Sequence, residues 1–201
     1  MTDADKISTF YDREATKLCA SYETLNPAAL YPEALGLLPS SPASVLDVAA
    51  GSGRDAAWLA DMGHKVTAVE PSAAMRREAM SAHGENGVEW IDDSLPFLSR
   101  VPRPRGGYSF ILVAAVWMHL DPGQRTIAWS RLAELCAVGG SVLVTLRHGP
   151  SDEERPMKPI CEDLEIKAAR ASGFYKAWLL PSGEDLLGRS AVRWSQLAAV
   201  R

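Results

Sequence analysis

Apolar positions fall into two alternating patterns along the chain. From Asp3 to Tyr22, Phe10, Ala15, Leu18 and Tyr22 are spaced for one face of a helix. A second, short helix is expected after Asn26-Pro27, with Pro27 in its first turn. The Pro-Ser-Ser-Pro stretch from Pro39 to Pro42 ends that pattern. The run Val45-Leu46-Asp47-Val48 then leads into Ala49-Ala50-Gly51-Ser52-Gly53, which predicts a buried strand entering a glycine turn. A helix is predicted from Arg54 to Met62, stopped by Gly63. Lys65 to Val69 predicts a strand ending at Glu70, Pro71-Ser72 starts a helix through Ala82, and Val88 to Ile91 predicts a third strand. Phe110 to Val116 is apolar throughout and predicts a central strand. Further on, the pattern predicts a helix over Pro122 to Ala137, a turn at Val138-Gly139-Gly140 and a strand over Ser141 to Leu146. Cys161 to Ser172 predicts a helix, with Gly173 at its end. The tail predicts a strand over Phe174 to Leu180, a turn at Pro181-Ser182-Gly183 and a last strand from Ala191 to Val200.

Strands alternating with helices imply an α/β fold, a parallel sheet covered on both faces. Runs that are apolar throughout agree with strands buried on both sides. No helix separates the last two strands, so an antiparallel hairpin is expected at one edge. No domain boundary stands out. Residues 1–201 read as one domain, with an N-terminal helical segment over 1–40 and a core over 44–201. Arg100 to Gly107 forms a basic, breaker-rich loop, and His148 to Pro159 is another long connection.

The chain has 201 residues, 47% hydrophobic and 23% charged, with a formal net charge of -4. The length suits one α/β domain, and the mild acidity disfavours a nucleic-acid partner. Cys19, Cys136 and Cys161 are few and far apart, with no metal-ligand spacing, so no metal site is expected and free thiols in a reducing compartment are. Met1 to Ser8 is polar, which argues against a secretory signal, and no run reaches the ~20 apolar residues of a membrane span. A cytoplasmic location with no membrane partner is therefore expected.

Candidate chemistry begins at the first glycine turn. In an open α/β sheet, ligands bind beyond the carboxyl ends of the strands. Small residues there let a ligand approach the backbone, and the amides of the next helix start face it. About twenty residues on, Glu70 ends the second strand, where a carboxylate accepts from a ribose diol. The signal is ambiguous alone, because Gly51-Ser52-Gly53-Arg54-Asp55-Ala56 also fits the G-x-G-x-x-A fingerprint of a dinucleotide site.

Five blocks in order narrow the choice. Val45-Leu46-Asp47-Val48-Ala49-Ala50-Gly51-Ser52-Gly53-Arg54 resembles the first motif of class I S-adenosylmethionine-dependent methyltransferases, departing from it at Ala49, where the family has glycine. Val66 to Ser72 is similar to the second motif, Asp92-Asp93-Ser94-Leu95-Pro96-Phe97 to the third and Phe110 to Leu120 to the fourth. Leu135 to Gly140 is similar to the loop usually written Lys-Pro-Gly-Gly. The resemblance spans roughly residues 10 to 200. It implies a three-layer, Rossmann-like sheet of seven strands with the last antiparallel, helices on both faces and an N-terminal helical lid. It implies S-adenosylmethionine as cofactor, with S-adenosylhomocysteine as product.

By this resemblance Glu70 takes the ribose hydroxyls. Ala50 and Gly51 lie along the amino-acid part of the donor, with Ala49, Gly53 and Arg54 in the same turn and Asp47 orienting it. Asp55 either adds a contact or is a first-turn carboxylate favoured by the helix dipole. Pro71, Ser72 and Met75 continue the donor side. Asp93, or alternatively Asp92, meets the adenine amino group, beside Ser94 and Leu95. Ala114 and Ala115 leave room near the sulfonium. Tyr11 and Tyr22 either close over the donor or pack an amphipathic helix.

Some acceptors need a proton removed, and His119 and His148 are the candidate catalytic bases or substrate contacts, with hydrogen-bonded loop histidines as the alternative. His64 and His83 read as structural or exposed. Arg147 and Arg155 either hold an anionic acceptor or are solvated loop charges. Trp117 and Trp178 either wall the acceptor pocket or belong to the core, and Trp194 packs the last strand. A small-molecule acceptor is the expected partner, with the chain a monomer or homodimer. RNA, DNA or protein substrates, supported only by Arg103 and Arg105, are the alternative. A non-catalytic nucleotide-binding module and an NAD-dependent dehydrogenase are further readings.

Overall fold

The computed structural model describes residues 2–84, 86–181 and 185–201. Its helices are α1 (Asp3–Tyr22), α2 (Pro27–Leu30), α3 (Arg54–Asp61), α4 (Ala73–His83), α5 (Pro122–Leu135) and α6 (Glu162–Ala171). Its strands are β1 (Ser44–Val48), β2 (Lys65–Val69), β3 (Glu89–Ile91), β4 (Tyr108–Val113), β5 (Cys136–His148), β6 (Lys176–Leu180) and β7 (Arg193–Val200). Short 3-10 turns cover Pro32–Leu37 and Trp117–His119.

The helix starts follow from their caps. Thr2 and Asp5 form a capping box at α1, Asp121 and Gln124 another at α5, and the Ser72 hydroxyl accepts from the Met75 amide at α4. The strands form one sheet in the order β3-β2-β1-β4-β5-β7-β6. The pairs from β3 through β5 are parallel, and β7 is antiparallel to both β5 and β6. The seven-stranded Rossmann-like sheet and its terminal hairpin are thus as the sequence implied. Period-2 alternation sends Phe110 and Leu112 of β4 to one face, with Tyr31 and Leu59. Ile111 and Val113 go to the other, with Trp117, Trp129 and Phe174.

Three segments depart from the sequence reading. β4 stops at Val113 instead of continuing to Val116, because Ala115 turns to φ 55 and its amide bonds the Thr145 hydroxyl at 2.7 Å. α5 ends at Leu135, and the expected turn at Val138-Gly139-Gly140 lies inside a 13-residue β5. The cause is pairing at both flanks: Cys136 aligns with Tyr108, the register shifts before Ser141, and the Gly139 amide bonds the Arg201 carbonyl at 2.6 Å. Of the turn expected at Pro181-Ser182-Gly183, Ser182 and Gly183 lie outside the described residues.

Candidate active site

The order in which successive strands are added to the sheet reverses between the parallel neighbours β1 and β4, and the carboxyl ends of these strands open into a cavity of about 900 Å³. That location is the switch point at which open α/β sheets bind ligands. The volume lies at the upper end of the ~300–1,000 Å³ found for small-molecule sites.

One wall is the turn after β1. The Ala50 amide bonds the Val69 carbonyl at 2.9 Å, and the Gly53 amide bonds the Ala50 carbonyl at 2.9 Å. Ala49, Gly51 and Gly53 all adopt positive φ, at 60, 56 and 79°. At Ala49 this costs on the order of 1 kcal/mol against glycine, which explains the residue type the motif has there. The two glycines differ in purpose. A Cβ on Gly51 would meet only the Met75 Cε within ordinary contact, at 3.6 Å. A Cβ on Gly53 would crowd Ala79 Cβ at 3.0 Å and Trp90 at 3.2 Å, so Gly53 lets α3 pack against its neighbours and does not face the cavity.

Glu70 sits next to this turn. Its carboxylate is buried and accepts from the Gly51 amide at 3.0 Å and the Ser72 amide at 2.9 Å. Burial raises its pKa, opposed by those two amides. A carboxylate offers about four lone-pair sites, so acceptor capacity for two hydroxyls remains. Asp47 lies beneath the turn, off the cavity wall, and burial with Asp55 nearby pushes its pKa well up. Asp55 is occupied by Tyr31 Oη at 2.8 Å and by Arg54, whose Nη1 also donates to the Tyr22 carbonyl at 3.2 Å. Arg54 therefore ties the turn to the end of α1.

The two acids of the third motif lie in different places. Asp93, Ser94 and Leu95 line the cavity. Both Asp93 oxygens cap the following loop, accepting from the Ser94 amide at 2.8 Å and the Arg100 amide at 2.6 Å. Asp92 points outward, its side chain 57% exposed and paired with Arg76 at 3.4 Å.

The N-terminal helix covers the cavity. It is fixed to α4 by Asp12, which accepts from the Ser72 hydroxyl at 2.6 Å, and by the Cys19–Met75 sulfur contact at 3.7 Å. Tyr11, Tyr22, Pro71, Ser72 and Met75 all line the cavity. Tyr11 Oη lies 3.1 Å from His119 Nε2, and His119 Nδ1 lies 3.0 Å from the Pro156 carbonyl. A carbonyl only accepts, so Nδ1 carries the proton and Tyr11 donates to Nε2. Burial lowers the His119 pKa to about 4, so the ring is neutral at neutral pH. Its free base site is capped by Tyr11.

His148 is elsewhere. Its Nε2 bonds Ser195 Oγ at 2.9 Å and lies 3.0 Å from Glu162 Oε1, and it is not among the described residues lining the cavity. Burial lowers its pKa, with Arg193 adding and Glu162 opposing. The sequence reading that paired His148 with His119 is thus not supported by position: the end of β5 turns His148 toward β7 and α6. Of the tryptophans, Trp117 is core, its Nε1 donating to buried Glu165 at 2.9 Å, and Trp178 lies under Lys176 on the edge strand β6. Trp194 does line the cavity. His83 bonds Glu23 at 3.2 Å, joining α4 to the end of α1, and His64 is buried.

Another part of the wall comes from the lip at Ala114 and Ala115, from Thr145 and Arg147 of β5, and from Arg155, Asp185, Arg189 and Gln196. Sequence reasoning passed over Thr145, Asp185, Arg189 and Gln196. Thr145 and Arg147 did carry a signal, as polar residues two apart in an otherwise apolar strand. Among the described residues no group of three or more His, Cys, Asp or Glu side chains is placed to hold a metal ion, and no helix is long and apolar enough to cross a membrane.

Residues 45–140 match a family profile described as a methyltransferase domain. No curated protein sequence matches the chain. Solved structures match its fold. The Burkholderia thailandensis 1,6-didemethyltoxoflavin-N1-methyltransferase, solved with 1,6-didemethyltoxoflavin and S-adenosylhomocysteine, is 18% identical with a TM-score of 0.71, covering 98% of this chain and 87% of that one. DhpI, solved as its SAH complex, is 19% identical with a TM-score of 0.69, covering 97% and 95%. A TehB-like SAM-dependent methyltransferase from Corynebacterium glutamicum is 16% identical with a TM-score of 0.64, covering 96% and 97%. The profile match and the sheet order together show that this chain shares the fold of these S-adenosylmethionine-dependent methyltransferases.

Proposed function

We propose that the chain transfers the methyl group of S-adenosylmethionine to a small molecule bound in the same cavity. The observation that carries this is Glu70, held beside the Ala49–Gly53 turn with two amides on its carboxylate and room for two more donors. In this reading Glu70 takes the ribose hydroxyls, and Ala50 and Gly51 lie along the amino-acid part. Asp93, Ser94 and Leu95 border the adenine, and Ala114 and Ala115 sit near the sulfonium. Bound there, the donor supplies an electrophilic methyl group. The chain's own residues then align an acceptor with it and exclude water, which is the main requirement of an in-line displacement. His119, neutral and capped by Tyr11, supports a positioning role better than that of a free base.

The enclosed volume and the covering helix favour a small acceptor over a nucleic acid or protein. Calorimetric titration with S-adenosylmethionine, S-adenosylhomocysteine and NAD tests the reading. Binding of the first two without NAD is expected. Binding of NAD alone would return the glycine turn to a dinucleotide site.

A further inference from the structure

The two ends of the cavity differ in charge. Around the glycine turn the ionisable wall residues are Glu70, Asp93 and the mutually paired Arg54 and Asp55. Past the lip at Ala115, on the β5–β7 side, the wall carries Arg147, Arg155, Arg189 and Asp185, while the rim at the starts of α1 and α5 adds Lys158, paired with Asp3, and the helix-capping Asp5 and Asp121. Arg189 is largely neutralised by Asp185 at 2.6 Å. Arg147 and Arg155 are not paired with any carboxylate among the described residues.

Arg147 is 8% exposed. Its Nη1 donates to the Pro150 carbonyl at 3.0 Å, while its buried Nε meets no acceptor among the described residues. Arg155 stacks over Phe10 at 4.9 Å, donates to Tyr11 Oη at 3.4 Å, and its buried Nε is likewise without an acceptor. Burial, together with the charges of Arg189 and Arg155, lowers the pKa of Arg147, so these cations crowd one another. Guanidinium groups stay protonated, and a buried charge without a counter-ion is costly. A bound anion would relieve that cost and use the planar donors bidentately.

We propose that the methyl acceptor carries an anionic group, a carboxylate or a phosphoryl group, that docks on Arg147 and Arg155. This rests on the donor occupying the opposite end. The anion serves as the handle that orients the acceptor toward the Ala114–Ala115 lip, and the two arginines act as specificity residues.

The test titrates the protein, with and without saturating S-adenosylhomocysteine, with benzoate, phenylphosphonate, benzamide and benzylamine. One or both anions are expected to bind the loaded protein, with the neutral and cationic probes weaker by about tenfold or more. Benzoate alone or phenylphosphonate alone identifies which anion the site takes. Arg147→Gln and Arg155→Gln are each expected to weaken anion binding about tenfold and leave S-adenosylhomocysteine binding unchanged. Arg155 lies on a loop, so its variant stands if Arg147→Gln fails to fold. Equal binding of benzamide, no binding of either anion, or unchanged anion affinity in both variants overturns the proposal. Loss of S-adenosylhomocysteine binding in these variants also overturns it, assigning the arginines to the carboxylate of the donor. If the anions bind and S-adenosylhomocysteine does not, the donor reading fails while the anion site stands.

Discussion

The two ends of the cavity are built by different means. The end at β1 and β2 is made of backbone: a turn of small residues in left-handed conformation, two amides and one buried carboxylate. The end at β5 and β7 is made of long side chains brought together from a strand, a loop and the segment before β7. Backbone geometry needs particular small residues at fixed spacing, so it writes itself into the sequence. A wall of side chains from distant segments leaves no local trace. The first end suits an invariant ligand, and the second is free to differ from one acceptor to another.

The largest effect expected at the backbone end is from Glu70→Ala. It removes a charged acceptor of the kind worth about 1.5–3 kcal/mol per bond and strands the Gly51 and Ser72 amides, so donor affinity should fall about a hundredfold or more by calorimetry. Undiminished affinity would break the contrast between the two ends.

His119 gives the next effect, from the other end. Its folded-state pKa is about 4, below the ordinary 6.5. The unfolded chain therefore binds more protons between these values, and stability is lost as pH falls through that window, by on the order of 1–3 kcal/mol. Urea unfolding at pH 7 and pH 4.5 should show a smaller acid loss for His119→Gln than for the parent. An equal loss would mean the ring is not held neutral by burial.

Ala49→Gly sharpens the backbone end. Relief of the left-handed strain, about 1–2 kcal/mol, is offset by the greater freedom of glycine in the unfolded chain, about 0.4–1 kcal/mol. A net stabilisation between about 0 and about 1.6 kcal/mol is expected by urea unfolding. Destabilisation would show that the Ala49 methyl contributes packing.

The smallest effect concerns the clasp holding α1 to the loop after β5, where Lys158 meets Asp3 at 2.6 Å and Arg13 meets Glu154 at 3.0 Å. These pairs are exposed and screened by salt, so Lys158→Ala should alter donor affinity little and mainly reduce its dependence on ionic strength.

Legibility in the sequence followed the same division. The helix over Asp3–Tyr22, the succession of strands and helices along the chain and the terminal hairpin were readable because periodicity and punctuation are local signals. The cavity wall beside β1 and β2 was readable because small residues and one acid recur at fixed spacing. Three things were not. Gly53 reads as a ligand-facing glycine, yet tertiary packing against Ala79 and Trp90 is what requires it. The Val138-Gly139-Gly140 segment reads as a turn, yet pairing with the chain end at Arg201 draws it into β5. His119 and His148 look equivalent in sequence, and only the fold separates the histidine facing Tyr11 from the one facing Ser195 and Glu162.

The most direct test of the account is a crystal structure of the protein with S-adenosylhomocysteine. The account predicts the ribose hydroxyls on Glu70, the adenine beside Asp93 and Leu95, the sulfur directed at the Ala114–Ala115 lip, and the space around Arg147 and Arg155 left open. A ligand lying instead along Arg147 with Glu70 untouched would contradict it.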